Sequence, residues 1–382
     1  MVYQLTKLFR EFAESEKSGG YLLMFCALVA IIAANSTIGS QYLDFWRLQL
    51  PGGSLEFWIN DGLMAIFFLL IGLEIERELY VGELSDRRNA LLPVGAAIGG
   101  MVVPAAVYLF FNTEAISQRG FGIPMATDIA FALGVLSLAG NKIPNALKVF
   151  LTALAIIDDL GAILVIAIFY TQDFSWLWMG VSAGIFALMI ALNRFRVNAI
   201  ALYLILGAAL WYTLHATGIH ATIAGVITAF TIPFGKGGDN SPSARLQHAL
   251  HKPVAFMIMP LFALANAGLV LEHGWTNALT STIGLGIILG LVVGKPLGIG
   301  MGVWLALRLG AIIPSELNRK ALVGGSMLAG IGFTMSIFIT LLAFETSAEI
   351  EVAKTAILFA SLLAGLTGYL ILAFHRQSNK SS

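Results

Sequence analysis

The stretch ALAIIDDLGAILVIA, residues 153–167, sets two adjacent carboxylates, Asp158 and Asp159, in a run otherwise hydrophobic enough to cross a bilayer. An ionised Asp near the centre of a membrane helix costs about 2.5–3.5 kcal/mol on insertion scales. Bound cations or protons offset such a cost, because hard carboxylate oxygens hold a metal ion or a proton but not comfortably both. The pair therefore predicts a site at which a cation and a proton compete.

The two carboxylates cannot share one role, because successive residues of a helix point about 100° apart. We expect one of them to face an aqueous cavity and ligate the ion. Its neighbour then faces another helix and needs a fixed partner there.

Composition restricts the class of protein. Of the 382 residues, 58% are hydrophobic and only 12% are charged, which predicts a polytopic helical membrane protein. The net charge is zero, so neither a nucleic-acid surface nor a strongly charged partner is indicated. The single cysteine, Cys26, cannot form an internal disulfide and is interpreted as a small core residue.

Both chain ends have distinct patterns. Residues 1–18 carry apolar side chains at helical spacing among mixed charges, which predicts an amphipathic helix lying on the membrane. A signal peptide is the competing interpretation, but three glutamates in its basic region disfavour it. We predict one integral membrane domain at 19–375 and a tail at 376–382.

Residues 46–58 separate the first two apolar runs. Apolar residues alternate on both sides of Pro51-Gly52-Gly53, which predicts an extramembrane β-hairpin. The alternative is an ordered interfacial loop anchored by Trp46 and Trp58.

Twelve apolar runs are long enough to be considered as membrane spans. They lie at 21–34, 58–80, 91–112, 121–139, 146–170, 176–193, 199–214, 219–234, 253–271, 284–307, 320–342 and 353–375. With a cytoplasmic N-terminus, 18 of the 22 basic residues are cytoplasmic and three are outside, as the positive-inside rule requires. This distribution predicts that both termini are cytoplasmic. The remaining basic residue, Lys295, lies within a span.

Two of these runs contain helix-breaking residues. Residues 120–134 include three glycines, Pro124 and Asp128, and residues 324–336 are equally rich in glycine. Interrupted spans in two halves of a chain indicate a transport site, because unwound backbone is tolerated only around a cavity or inside protein. The alternative is that the small residues only allow close helix packing.

Six motifs, in order, resemble the NhaA family of bacterial sodium/proton antiporters from about the first span to the last. They are ATDIAFALG (126–134), AIIDDLGA (155–162), GIHATIAG (218–225), FALANAG (262–268), GKPLG (294–298) and GIGFTMS (330–336). The resemblance implies twelve helices in inverted-topology repeats, the fourth and eleventh being discontinuous and crossing near the membrane midplane. It also implies electrogenic, pH-regulated sodium or lithium export in exchange for protons, without a cofactor. The expected location is the inner membrane, and the expected assembly is a homodimer formed through the 46–58 hairpin.

The resemblance also assigns roles within the site. It implies that Asp159 is the main cation ligand and Asp158 its partner in proton exchange, while Lys295 pairs with Asp158. Thr127 and Asp128 would lie at the break of the fourth helix, where Asp128 offsets the helix dipoles. The residues themselves agree about Lys295, because a lone ammonium deep within a span needs a carboxylate. Whether Asp158 or Lys295 supplies a second proton stays open.

A separate set is implied to regulate the response to pH. It comprises Glu74, Arg77, Glu78, Arg245, His248 and His251, with His220 as a modulatory residue. The chain departs from the family pattern at Ala244 and Gln247, which puts the shape of the pH response in doubt. Glu76 and Glu83 are interpreted as a solvated helix end. His248 and His251 are interpreted as surface histidines, since no acid or cysteine lies within ligand spacing.

Two other functions would also use buried acids. An intramembrane aspartyl protease needs two of them, but its Gly-x-Gly-Asp signature is missing from the sequence. A passive cation channel would conduct without saturating competition between sodium and protons. The sequence therefore predicts a transporter rather than an enzyme.

Overall fold

The computed structural model describes residues 7–140, 143–170, 174–235, 238, 240–270 and 275–374. For residues 7–17, 83 and 87 only the backbone is described. The predicted tail at 376–382, the first six residues and the side-chain pattern of the N-terminal segment therefore lie outside the described part of the chain.

The described chain is mostly helical. Its α-helices are α1 (Lys7–Ala34), α2 (Gly39–Trp46), α3 (Leu55–Phe57), α4 (Met64–Tyr80), α5 (Arg87–Phe111), α6 (Ala115–Gln118), α7 (Ile129–Leu138), α8 (Asn145–Phe169), α9 (Trp176–Arg194), α10 (Ile200–Thr217), α11 (Ile223–Thr231), α12 (Pro242–Pro253), α13 (Met259–Asn266), α14 (Trp275–Thr280), α15 (Thr282–Leu289), α16 (Lys295–Arg308), α17 (Arg319–Ala329), α18 (Phe333–Ala343) and α19 (Ser347–Ala373). The 3-10 segments are Glu83–Ser85 and Arg119–Met125, and the π-helical segments are Trp58–Leu63, Val254–Ile258 and Gly290–Gly294.

The helices agree with a multi-pass membrane protein. Among the described residues, eight helices are long and apolar enough to span a membrane, and two bent helix pairs bring the number to ten. The two remaining predicted runs correspond to Ser18–Ala34, which is a shorter apolar helix, and to the nine residues of α11. The prediction of twelve spans therefore stays a prediction.

The hairpin is confirmed but is shorter than predicted. Strands β1 (Gln49–Leu50) and β2 (Gly53–Ser54) pair antiparallel, with Gln49 opposite Ser54 and Leu50 opposite Gly53. The apolar residues that follow form a helix instead of a strand, because the Ser54 hydroxyl accepts the Phe57 N–H at 3.1 Å and caps α3. Alternation alone could not separate these two outcomes.

The chain forms two compact units. Unit 1 comprises residues 1–28, 86–162 and 269–382. Within it, α5 and α16 pack backbone to backbone, because each carries two glycines four residues apart. A Cβ at Gly99 would clash with the Gly298 carbonyl, and one at Gly302 would clash with the Gly95 carbonyl. This is the small-xxx-small contact of membrane helices, used by both partners.

Unit 2 comprises residues 29–85 and 163–268. Its main packing joins α4 and α11, where a Cβ at Gly225 would clash with the Ala65 carbonyl. Asn60 and Asn266 also hydrogen bond to each other through both amides, at 3.2 and 2.7 Å. Small residues and paired amides therefore hold this unit together, as expected where solvent cannot drive helix association.

Candidate ion-exchange site

The first helix break carries Thr127 and Asp128. The helical pieces 115–125 and 129–138 meet at 45°, and residues 126–128 between them are not helical. Pro124 lacks the N–H that an α-helical hydrogen bond needs, which favours the interruption. The Asp128 Oδ1 atom accepts the Phe131 N–H at 2.9 Å and so begins α7 as its N-cap. The predicted interruption is confirmed here.

The second break separates α17 from α18 by three residues. The two helices meet at 40°, so this predicted interruption is also confirmed. Gly332 leaves room for the Ser336 hydroxyl at the start of α18, because a Cβ at position 332 would clash with that hydroxyl in its present position. That hydroxyl donates at 2.7 Å to the Ile123 carbonyl of the 3-10 segment that precedes the first break.

The two breaks contact each other through Asp128. Its N–H donates to the Ile331 carbonyl at 2.7 Å, and its Oδ2 atom accepts both the N–H (3.0 Å) and the hydroxyl of Thr334. One buried carboxylate thus caps the N-termini of α7 and α18. Helix N-termini carry partial positive charge, so this position favours an anion strongly.

Asp158 and Lys295 form a fully buried ion pair beside these breaks. The Lys295 Nζ lies 2.6 Å from Asp158 Oδ2 and also donates to the Met125 carbonyl at the end of the 3-10 turn. The Thr127 hydroxyl lies 2.8 Å from the same Asp158 oxygen and 2.9 Å from the Ala329 carbonyl. The pair therefore connects α8, α16 and both breaks.

A π-helical segment precedes Lys295 and helps to set the helix face from which this side chain reaches Asp158. The segment Gly290–Gly294 ends immediately before Lys295-Pro296, and Val254–Ile258 ends in the same way before Met259-Pro260. Proline lacks an N–H and clashes with the carbonyl four residues earlier, so a wider turn before it relieves both problems. The extra residue in that turn also changes the face of the helix that the next side chain occupies.

Asp159 is buried next to Asp158 on α8 and is close enough to act electrostatically on Lys295. The Asp158 Oδ1 atom has no hydrogen-bond donor among the described residues. Carboxylate and hydroxyl oxygens are the ligands that hard cations prefer. In the described part of the chain, no cluster of three His, Cys, Asp or Glu side chains is arranged to hold a resident metal.

Comparison of the sequence with known proteins identifies the family of the chain. The family model described as Na+/H+ antiporter 1 matches residues 10–372. The chain belongs to this family. The chain is 55% identical over 372 residues to "Na(+)/H(+) antiporter NhaA" of Flavobacterium psychrophilum, covering 97% of both chains. It is 50% identical over 379 residues to "Na(+)/H(+) antiporter NhaA 1" of Klebsiella pneumoniae, covering 96% of both. The resemblance to the NhaA family that the six motifs indicate is thus confirmed.

In this antiporter family member, a second group of polar residues lies within unit 2. His251 on α12 has its Nδ1 atom 3.7 Å from Oε1 of Glu74 on α4, and the two side chains are only 12% and 7% exposed. The interpretation of His251 as a surface histidine is therefore wrong. An acid does lie nearby, on a helix too distant in sequence for ligand spacing to indicate it.

Glu76 is buried as well, so its interpretation as part of a solvated helix end is wrong. The Ser243 hydroxyl donates to its Oε2 atom at 2.8 Å. Helix α12 packs on α4 and covers this face. The prediction that Glu83 belongs to a solvated helix end concerns a side chain outside the described part of the chain.

The other residues of the predicted pH set lie on the same two helices or nearby. Arg77 and Glu78 are half-buried on α4, whereas Arg245 and His248 are exposed on α12. His220 is half-buried in the turn between α10 and α11 and is hydrogen bonded to the backbone of Tyr170. The structure thus brings Glu74 and His251 together, while their roles remain predictions.

Sequence reasoning missed three residues that make buried contacts. Thr334 lies in a quoted motif, and its position two residues after Gly332 could have indicated a helix start. Ser243 follows a Ser-Pro helix start, but nothing local shows that it faces an acid. Ser361 on α19 accepts the Phe333 N–H at 3.2 Å and belongs to no motif.

Proposed function

We propose that the chain is a secondary active antiporter that exports sodium or lithium in exchange for protons. The observation that carries this proposal is the buried acid pair, Asp158 and Asp159, with Lys295 bonded to Asp158 where two broken helices meet. Membership in a sodium/proton antiporter family supports the same chemistry. The chain is accordingly a transporter and not an enzyme.

Competition for the same oxygens would couple the two ions. In the proposed cycle, a cation entering from the cytoplasm is held mainly by Asp159, with Asp158 assisting, and displaces protons. When Asp158 turns to the cation, Lys295 loses its partner, and an unpaired buried ammonium is costly. Because the two groups are in direct contact, the second proton belongs to the pair rather than to either residue.

Unequal charge would cross the membrane in this cycle. If Asp159 and the Asp158–Lys295 pair each release one proton for each monovalent cation, the exchange is electrogenic. The membrane potential then drives it, at about 2.3 kcal/mol per charge for each 100 mV.

The proposed topology has twelve spans, with Ser18–Ala34 and α11 crossing together with the ten longer candidates. Both termini are proposed to be cytoplasmic, in the inner membrane, and the two breaks to cross near the midplane. Charge distribution over the loops supports this orientation. Helices shorter than the bilayer are accommodated by local thinning at modest cost.

Two further proposals concern regulation and assembly. Glu74, Arg77, Glu78, Arg245, His248, His251 and His220 are proposed to set the response to pH. The contact between Glu74 and His251 supports the grouping, since a histidine changes its charge near neutral pH. Pairing of two copies through the 46–58 hairpin is proposed from the family resemblance.

Sodium-dependent proton flux in proteoliposomes tests the proposed function. Asp159→Asn should remove at least about 99% of the flux, because an amide cannot exchange a proton for a cation. Asp44→Asn is the matched control, since Asp44 is highly exposed. Flux from Asp159→Asn equal to that of the control would refute the assignment. A current that does not saturate with sodium would indicate the rival channel.

A further inference from the structure

The second helix break leaves several helical hydrogen bonds unmade, and one of them is the bond between Phe333 and Ala329. In a continuous helix the Phe333 N–H would donate to the Ala329 carbonyl, four residues earlier. The break lies between these two residues. Both are almost completely buried, so water cannot replace the missing partner of either group.

Two hydroxyl groups from other elements take the place of this bond. The Phe333 N–H donates to Ser361 Oγ on α19 at 3.2 Å. The Ala329 carbonyl lies 2.9 Å from the Thr127 hydroxyl of the first break and shares the single hydrogen of that hydroxyl with Asp158 Oδ2. The donor and the acceptor of one lost bond are therefore satisfied separately, from two sides.

The neighbouring backbone groups depend on Asp128 instead. Its side chain accepts the Thr334 N–H, and its own N–H donates to the Ile331 carbonyl. Asp128 and Thr127 both come from the first break, which belongs to the ion-exchange site. Ser361 is the one member of this set that lies on neither break and in none of the six motifs.

We propose that Ser361 and Thr127 are a pair of positioning residues that keep the 319–343 helix broken beside the ion-exchange site. They do so by dividing one helical hydrogen bond between them. The inference rests on the proposed function only in the assumption that the broken helix takes part in ion exchange. Ser361 acts through α18, whose N-terminus holds Asp128, and does not touch the ion.

This division makes a specific prediction about pairs of substitutions. Removing one hydroxyl leaves one buried backbone group without a partner, which destabilises the protein. Removing both leaves a donor and an acceptor that can bond to each other, as in a continuous helix. The double variant Thr127→Val with Ser361→Ala should therefore lower the unfolding temperature by less than the sum of the two decreases seen in the single variants.

The experiment is a double-mutant cycle on the full chain, measured by thermal unfolding in detergent without sodium. Two control substitutions remove buried hydroxyls of the same broken helix that bond to their own helix. Thr340→Val pairs with Ser361→Ala, and Ser326→Ala pairs with Thr127→Val. Both control cycles should be additive. An additive result for Thr127 with Ser361 would overturn the proposal.

Amide hydrogen exchange over residues 328–334 shows whether the helix closes. Exchange there should be faster in each single variant than in the wild type. In the double variant it should be slower than in either single variant. Equal or faster exchange in the double variant than in the singles would contradict helix closure. If a single variant is not recovered from the membrane, the double variant must be recovered in higher yield, and an equal yield would overturn the proposal.

Transport separates positioning from simple stabilisation. Ser361→Ala should lower the maximal rate of sodium-dependent proton flux about tenfold, while half-saturation by sodium changes less than about threefold. Ser361→Thr, which keeps the hydroxyl, should recover most of that rate. A wild-type rate in Ser361→Ala would contradict positioning. Failure of the wild type to exchange sodium for protons would refute antiport and leave the unfolding cycle interpretable.

Discussion

Two buried acid–base contacts, one in each unit, differ in depth and in the number of partners. Asp158 and Lys295 lie 2.6 Å apart with no exposed side-chain surface, and each has a further hydrogen bond, to Thr127 and to the Met125 carbonyl. Glu74 and His251 lie 3.7 Å apart with some exposed surface. The first contact cannot be broken without leaving an unpaired charge in the protein interior, whereas the second can partly exchange with water.

This difference suggests different uses. When the contact between Asp158 and Lys295 breaks, the freed carboxylate must gain a new partner, such as a cation or a proton. A looser pair that keeps some exposed surface tolerates the loss of its partner at a smaller cost. We therefore expect coupled exchange at Asp158 and Lys295 and adjustable regulation at Glu74 and His251.

The largest effect is expected from Lys295→Met, which leaves the Asp158 carboxylate buried and unpaired. Breaking one side of a buried pair costs about 3–5 kcal/mol of unfolding free energy. The double variant Lys295→Met with Asp158→Asn should be more stable than Lys295→Met alone, because residue 158 then carries no unpaired charge. Thermal unfolding of the purified variants measures both. If Lys295→Met unfolds at the same temperature as the wild type, the ion pair does not contribute to the unfolding free energy as this prediction states.

Ser243→Ala should have an intermediate effect, because it removes the hydroxyl that donates to Glu76. Loss of one buried hydrogen bond to a carboxyl group costs about 1–2 kcal/mol. In a Glu76→Ala background the same substitution should cost much less. Ser241→Ala is not a suitable control because Ser241 caps α12, but the buried Ser326→Ala is. Additive costs at Ser243 and Glu76 would show that this contact contributes nothing.

A smaller effect is expected from Glu74→Gln. The 3.7 Å separation from His251 is too long for a strong hydrogen bond, so we expect a loss of at most about 1 kcal/mol. The pH dependence of sodium-dependent proton flux should change while the maximal rate stays within about threefold of wild type. A collapse of the maximal rate at every pH would instead place Glu74 in the transport step.

The smallest effect is expected at Arg119 and Glu345, an exposed ion pair of unit 1. Their atoms lie 2.9 Å apart, but the side chains are 50% and 67% exposed. Exposed pairs contribute about 0–1 kcal/mol and weaken with salt. Arg119→Ala should accordingly leave unfolding almost unchanged in 0.5 M salt. A loss comparable to that of Lys295→Met would show that distance matters more than burial here.

The sequence predicted the features whose cause is local. Pro124, Asp128 and the glycines indicate the two breaks, and the lone Lys295 indicates that a buried carboxylate must meet it. Glu76 and His251 were misjudged because their burial depends on how α12 packs against α4, which no local pattern records. The hairpin is shorter than its sequence predicts, because alternating residues after Ser54 suit a strand as well as a short helix. Ser361 left no recognisable pattern, and the prolines that follow two of the π-helical segments do not by themselves distinguish a wider turn from a kink.

The most direct test measures cation binding and proton release together. Lithium or sodium is titrated into the purified protein by calorimetry, in two buffers with different ionisation enthalpies and at several pH values. The account predicts that binding weakens as the pH falls and that each cation releases at least one proton, with both effects lost in Asp159→Asn. Cation binding that is independent of pH and releases no protons would contradict it.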